Sequence, residues 1–125
     1  WLVMRGALLV GIDGPSIDAM TAMFVPEAQR RREPDISPLY ADLRGLCPAL
    51  FTVGSFDPLL DHTLFMYAKW IAAGSPAEIQ IFPGGPHGFD AFGTPEGARA
   101  NKRANEFLAR CLESRRSSSA VFGGA

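Results

Sequence analysis

Residues 49–89 read ALFTVGSFDPLLDHTLFMYAKWIAAGSPAEIQIFPGGPHGF, and their punctuation decides the fold class. Residues 49–53 are apolar on both sides of the run, with Thr52 the one polar member, as a strand covered on both faces requires. Gly54 closes that run, and Asp57-Pro58 marks a turn into a helix predicted over residues 59–73. Leu60, Leu64, Ala68 and Ile71 recur at helical spacing and predict its inner face. Gly74 suits the residue just past its end, where the left-handed conformation is common. Residues 78–82 (EIQIF) alternate as a strand does, and Pro83-Gly84-Gly85-Pro86 predicts a tight loop. A strand, a helix and a strand in this order imply parallel pairing through a right-handed crossover.

Upstream, residues 7–12 (ALLVGI) predict a further buried strand, closed by Asp13-Gly14-Pro15. Residues 16–32 mix apolar and polar types, and Pro26 interrupts any helix, so they read as a loop with short helical pieces. Pro34, Pro38 and Pro48 make residues 33–48 mostly irregular, with one turn at 40–43. Downstream, a last helix is predicted from about residue 95 to 112, with Ala100, Ala104, Phe107, Leu108 and Cys111 as its buried stripe. The class is therefore α/β, with three parallel strands and crossover helices. The first strand has no partner supplied from upstream, and an unpaired edge invites intermolecular pairing. Marginal stability, self-association and a homo-oligomer are the corresponding expectations.

The 125 residues suffice for one core, and a hydrophobic fraction of 47% with 20% charged residues is that of a globular chain. A net charge of -1 removes a main motive for nucleic-acid binding. Arg30, Arg31 and Arg32 are followed by Glu33 and Asp35 and read as a solvated helix end. Cys47 and Cys111 sit in no C-x-x-C pair and no metal-ligand spacing, so they are expected as buried free thiols in a reducing cytosol. No stretch reaches the roughly 18 apolar residues of a membrane span, and no basic segment precedes an apolar run as in a secretory leader. The chain opens on Trp1 and enters a strand almost at once, which suggests missing upstream sequence.

In open parallel sheets, chemistry collects beyond the carboxyl ends of the strands. Asp57 and His87 lie there, on the loops after two strands predicted to be adjacent. A carboxylate paired with an imidazole is the orienting half of a nucleophilic triad: it holds one tautomer and stabilises the imidazolium. The order Asp then His is that of α/β-hydrolase chains. Gly54-Ser55-Phe56-Asp57-Pro58-Leu59-Leu60-Asp61 and Phe82-Pro83-Gly84-Gly85-Pro86-His87-Gly88-Phe89 strongly resemble the acid and histidine blocks of the hormone-sensitive-lipase-like esterases and lipases. Asp35-Ile36-Ser37-Pro38-Leu39 resembles the stretch that precedes the acid-bearing strand in that family. The resemblance spans about residues 5–112. It implies that residues 1–113 are the C-terminal portion of an α/β-hydrolase domain; residues 114–125 (SRRSSSAVFGGA), polar and then small, read as a disordered tail. It also implies a small-molecule ester substrate, Asp57 as triad acid, His87 as general base, and no cofactor or metal. Phe89 and Phe92 are candidates either for a substrate-pocket wall or for the core.

Neither the family's G-x-S-x-G nucleophile elbow nor its H-G-G-G-type oxyanion motif occurs in the sequence, and both are expected upstream of Trp1. Ser16, in Gly14-Pro15-Ser16-Ile17-Asp18, is the nearest approach to an elbow. Pro15 lacks a backbone N–H, and Asp18 stands where glycine lets the helix approach. Ser55 is too close to Asp57 in sequence to be its nucleophilic partner. Asp57 also precedes a helix it is able to cap, Asp61 is expected to cap that helix, and His62 to sit exposed on its first turn. Asp57, Asp61 and His62 match no common metal spacing. The alternatives carried forward are a serine peptidase or acyltransferase on the same fold, a non-catalytic interaction module, and a nucleotide-binding α/β domain. Pro15 argues against the last, since it spoils the Gly-rich first turn.

Overall fold

A computed structural model describes residues 2–4, 7–9, 27 and 30–122. Its regular elements are β1 (Leu2–Met4), β2 (Ala7–Leu9), β3 (Ala49–Gly54), α1 (Leu60–Ala72), β4 (Ala77–Phe82) and α2 (Pro95–Phe122). The four strands form one sheet in the order β1-β2-β3-β4. β2 pairs parallel with β3 (Leu8 with Ala49), and β3 pairs parallel with β4 from Ala49–Ala77 to Gly54–Phe82. The parallel α/β arrangement agrees with the sequence reading. One strand was not anticipated: β1 pairs antiparallel with β2, so the edge expected to be bare is occupied. A three-residue segment such as Leu2-Val3-Met4 is too short for its pattern to declare a strand.

β3 is buried along its length except for half-buried Thr52, and the two faces feed two cores. Ala49 and Phe51 pack with Met66 and Trp70 of α1 and with Leu43. The Phe51 ring meets Tyr67 and Trp70 edge-on, at 6.0 and 5.7 Å between centroids, an arrangement favoured by the ring quadrupoles. On the opposite face, Leu50 packs against Phe107, with Ala104, Leu108 and Cys111 around it. The stripe expected for the last helix is thus the one used.

The face expected for α1 is corrected. The helix buries Thr63, Met66 and Trp70 and leaves Leu64, Ala68 and Ile71 exposed. Apolar residues occur nearly all round this helix, so spacing alone does not choose a side. Burying Trp70 and Met66 removes more apolar area from water than burying Ala68 and Ile71. Burial of Thr63 costs little, because its hydroxyl donates to the Leu59 carbonyl at 3.0 Å. Gly74 ends the helix at φ 77°, as its position suggested. The last helix continues past Leu112 to Phe122, through residues read as a tail from the sequence.

The connection before β3 holds one-turn 3-10 helices at Arg30–Arg32 and Pro38–Tyr40, close to the single turn expected at 40–43. Buried Ser75, in the α1–β4 turn, staples it to the fold. Its hydroxyl donates to the Leu43 carbonyl (2.6 Å) and accepts from the Leu46 N–H (3.1 Å).

Candidate active site

The loops after β3 and β4 meet because their strands are parallel neighbours in register, with Gly54 opposite Phe82. Three backbone hydrogen bonds shape the junction. Ser55 N–H donates to the Phe82 carbonyl at 2.9 Å, Phe56 N–H to the Gly85 carbonyl at 3.0 Å, and Gly85 N–H to the Phe82 carbonyl at 3.2 Å. The backbones touch: a Cβ on Gly54 would stand 1.9 Å from the Gly85 carbonyl oxygen. Two further glycines, Gly84 (φ 74°) and Gly88 (φ 68°), take the left-handed turns of the histidine loop.

This junction brings Asp57 and His87 together. The His87 Nδ1 lies 3.2 Å from Asp57 Oδ2 and 3.3 Å from Oδ1. The environments differ: the Asp57 side chain is 9% exposed, that of His87 62%. The carboxylate is fixed a second time, since its Oδ1 accepts the Leu59 N–H at 2.8 Å. The cap expected from Asp61 is not made: no side chain caps α1, Asp57 closes the turn that leads into it, and Asp61 lies exposed in its first turn. His62, expected to be exposed, is half-buried, and its Nδ1 is enclosed without a hydrogen-bond partner.

The histidine loop is held from below. A one-turn 3-10 helix, Phe89–Ala91, follows His87. Phe89 is buried against Phe82, ring centroids 4.9 Å apart, and near Ala100 of α2, so it serves the core, while Phe92 is exposed. The Thr94 hydroxyl accepts the Gly97 N–H (3.1 Å) and caps α2. Asn101 of α2 donates to the Asp90 carbonyl (2.9 Å).

Sequence reasoning named Asp57 and His87 and missed what sets their geometry: the Gly54–Gly85 contact, Asn101, and the Ser55 hydroxyl, which accepts the Gly84 N–H at 2.8 Å. A glycine at the end of an apolar run was the available signal for the first; nothing in the sequence pairs Ser55 with Gly84. Ser16 lies outside the described residues. Among the described residues, no group of three His, Cys, Asp or Glu side chains is placed to hold a metal ion, and no helix is long and apolar enough to cross a membrane.

Chemically, a carboxylate nearly out of water beside one ring nitrogen leaves the other nitrogen of a largely exposed imidazole free to exchange protons. Residues 8–91, which include Asp57 and His87, match the model of a family described as the alpha/beta hydrolase fold. An esterase called LipU, from Mycobacterium tuberculosis, is 31% identical over 97 residues, which is 74% of this chain and 33% of that protein. An esterase of the bacterial hormone-sensitive lipase family aligns with a TM-score of 0.72 at 32% identity, over 81% of this chain and 34% of its own. An esterase/lipase from an uncultured bacterium aligns with a TM-score of 0.70 at 34% identity, over 76% of this chain and 33% of its own. The chain thus spans about a third of the length of these relatives.

Proposed function

This chain belongs to the alpha/beta hydrolase fold family, and from that premise we propose that it supplies the acid and the general base of a serine-type carboxylic ester hydrolase acting on small-molecule esters. The contact between the enclosed Asp57 carboxylate and His87 Nδ1, at 3.2 Å on adjacent strand-end loops, carries the reading. The esterases among its relatives support the choice of ester over other acyl substrates.

The mechanism follows from the two environments. Asp57, accepting from Leu59 N–H and facing Nδ1, keeps the ring proton on that side and leaves Nε2 as the base. A serine from the rest of the protein attacks the ester carbonyl, and Nε2 takes its proton. The imidazolium that forms is balanced by the Asp57 charge, then returns the proton to the departing alcohol. Water repeats the cycle on the acyl-enzyme and releases the acid. No G-x-S-x-G motif occurs in these 125 residues, so the nucleophile and oxyanion donors are assigned to upstream sequence.

The test compares the 125-residue chain with the full-length protein on p-nitrophenyl esters. Turnover by the full-length protein and none by the chain is expected, since a paired Asp and His without nucleophile or oxyanion donors only assist water. Turnover by the chain that vanishes in Ser16→Ala would make Ser16 the nucleophile. The missing elbow also favours a second reading, a non-catalytic interaction module, which predicts no turnover in either form.

A further inference from the structure

Ser55 was set aside as a nucleophile, and the structure gives its hydroxyl another task. Four hydrogen bonds and one close backbone approach organise the acid and histidine loops. Three of those bonds run from backbone to backbone, and any sequence able to adopt the turns would make them. The fourth, from Gly84 N–H to the Ser55 Oγ at 2.8 Å, depends on a side chain. Apart from the Asp57–His87 pair itself, it is the side-chain hydrogen bond seen between the two loops among the described residues.

Its position matters more than its strength. Ser55 is two residues before Asp57, and Gly84 is three before His87, at the tip of the turn and in the left-handed conformation (φ 74°). A tip glycine has no side chain to anchor it and much conformational freedom to lose. Capture of its N–H by Ser55 removes that freedom at the point from which the chain sets out toward His87. The functional contact is the sensitive one: His87 Nδ1 reaches Asp57 at 3.2–3.3 Å, shared between both oxygens, and its ring is largely exposed to competing water. A shift of a few tenths of an ångström in the histidine loop would lengthen that contact beyond hydrogen-bond range.

We propose that Ser55 is a positioning residue: by holding Gly84 it sets the histidine loop at the height that keeps His87 Nδ1 on the Asp57 carboxylate. It touches neither substrate nor reacting atoms. The kinetic consequence rests on the function proposed above; the geometric one does not.

The geometric test reads the tautomer of His87 by long-range ¹H–¹⁵N correlation in the labelled 125-residue chain above the imidazole titration range. A neutral ring carries one proton, and a carboxylate at Nδ1 holds it there, whereas a free imidazole favours Nε2. Wild type and Ser55→Thr, which keeps a hydroxyl acceptor, should show the Nδ1–H form. Ser55→Ala should shift toward the Nε2–H form, as should Asp57→Asn, which serves as the reference. If Ser55→Ala does not fold by circular dichroism, Ser55→Cys carries the test, because sulfur preserves the size but accepts weakly. In the full-length protein, Ser55→Ala should lower kcat about 10- to 100-fold with little change in KM, the scale expected when a catalytic group is misplaced by a fraction of an ångström to one ångström, and Ser55→Thr should restore most of it. An unchanged tautomer in Ser55→Ala or Ser55→Cys overturns the proposal. A shifted tautomer without ester turnover by the wild-type protein leaves the clamp standing and overturns the esterase reading.

Discussion

An alanine at position 54 has nowhere to put its methyl group, because the Gly85 carbonyl oxygen already occupies that space at 1.9 Å. Backbone cannot swing aside as a side chain can, so Gly54→Ala should push the acid and histidine loops apart. We expect a loss of about 2–4 kcal/mol in denaturant melts together with loss of activity in the full-length protein. Within the dyad, His87→Ala should nearly abolish turnover, and Asp57→Asn should lower kcat by about 10⁴. Asparagine presents an N–H to the ring and withdraws the counter-charge of the imidazolium. The double variant should be scarcely worse than His87→Ala, because groups acting as a unit do not contribute additively. Asp61→Asn should cost only a few tenths of a kcal/mol, since it removes a first-turn charge and no cap; steady-state kinetics on the four variants would expose a wrong choice of acid. Away from the site, Arg44 beside Asp42 holds that exposed carboxyl at about 2 rather than 3.8. Any stability this adds is present above the unfolded value and lost as pH falls through the folded one. In Arg44→Gln, an NMR titration of Asp42 should move back up toward 3.8.

At the scale of elements, α1 shows where a sequence stops speaking. Its boundaries were legible, because Asp57-Pro58 and Gly74 are local signals with local causes. Its buried side was not, because Leu60, Leu64, Ala68 and Ile71 make as good a stripe as Thr63, Met66 and Trp70, and only the partner decides. That partner is Phe51, whose ring takes Trp70 and Tyr67 edge-on. Trp70→Ala should therefore cost about 3–5 kcal/mol, whereas Ile71→Gln, at a site 46% exposed, should stay within about 0.5 kcal/mol. Paired denaturant melts would reverse that order if the spacing-based face were correct. The α2 stripe was legible for the converse reason: Ala100, Ala104, Phe107, Leu108 and Cys111 face an otherwise polar helix, so one side alone is apolar. The chemistry shows the same division. Asp57 and His87 were readable from their places after apolar runs, while Ser55–Gly84 and Gly54–Gly85 join positions about 30 residues apart with no signature in either. β1 escaped notice because three residues carry too little pattern.

Across the whole molecule, the sheet ends at β4, whose outer edge pairs with no other strand among the described residues, and Ile81 on that strand is 44% exposed. The expectation of self-association therefore moves from the first strand, now covered by β1, to the last. The chain should show concentration-dependent self-association in sedimentation velocity, and Ile81→Lys should weaken it, since charge on an edge strand blunts pairing. A strictly monomeric wild type over the accessible concentration range would count against this. Behind that edge, Glu78 spans two turns of α2, meeting Arg103 at 2.9 Å and Arg110 at 2.7 Å, so the last helix is tied to the strand that carries the histidine. The parallel β3-α1-β4 unit has one more implication, for how such proteins diversify. Asp57, His87 and the contacts that align them all fall within residues 49–101, an unbroken stretch. Genetic exchange with breakpoints on either side of it would transplant the Asp57–His87 pair already in alignment. An exchange inside α1 would instead marry Gly54 and Ser55 to a foreign turn that never adapted to them. Chimaeras between relatives should therefore tolerate junctions near residue 45 far better than near residue 66, and natural variation at 54, 55, 84 and 85 should be inherited as a set.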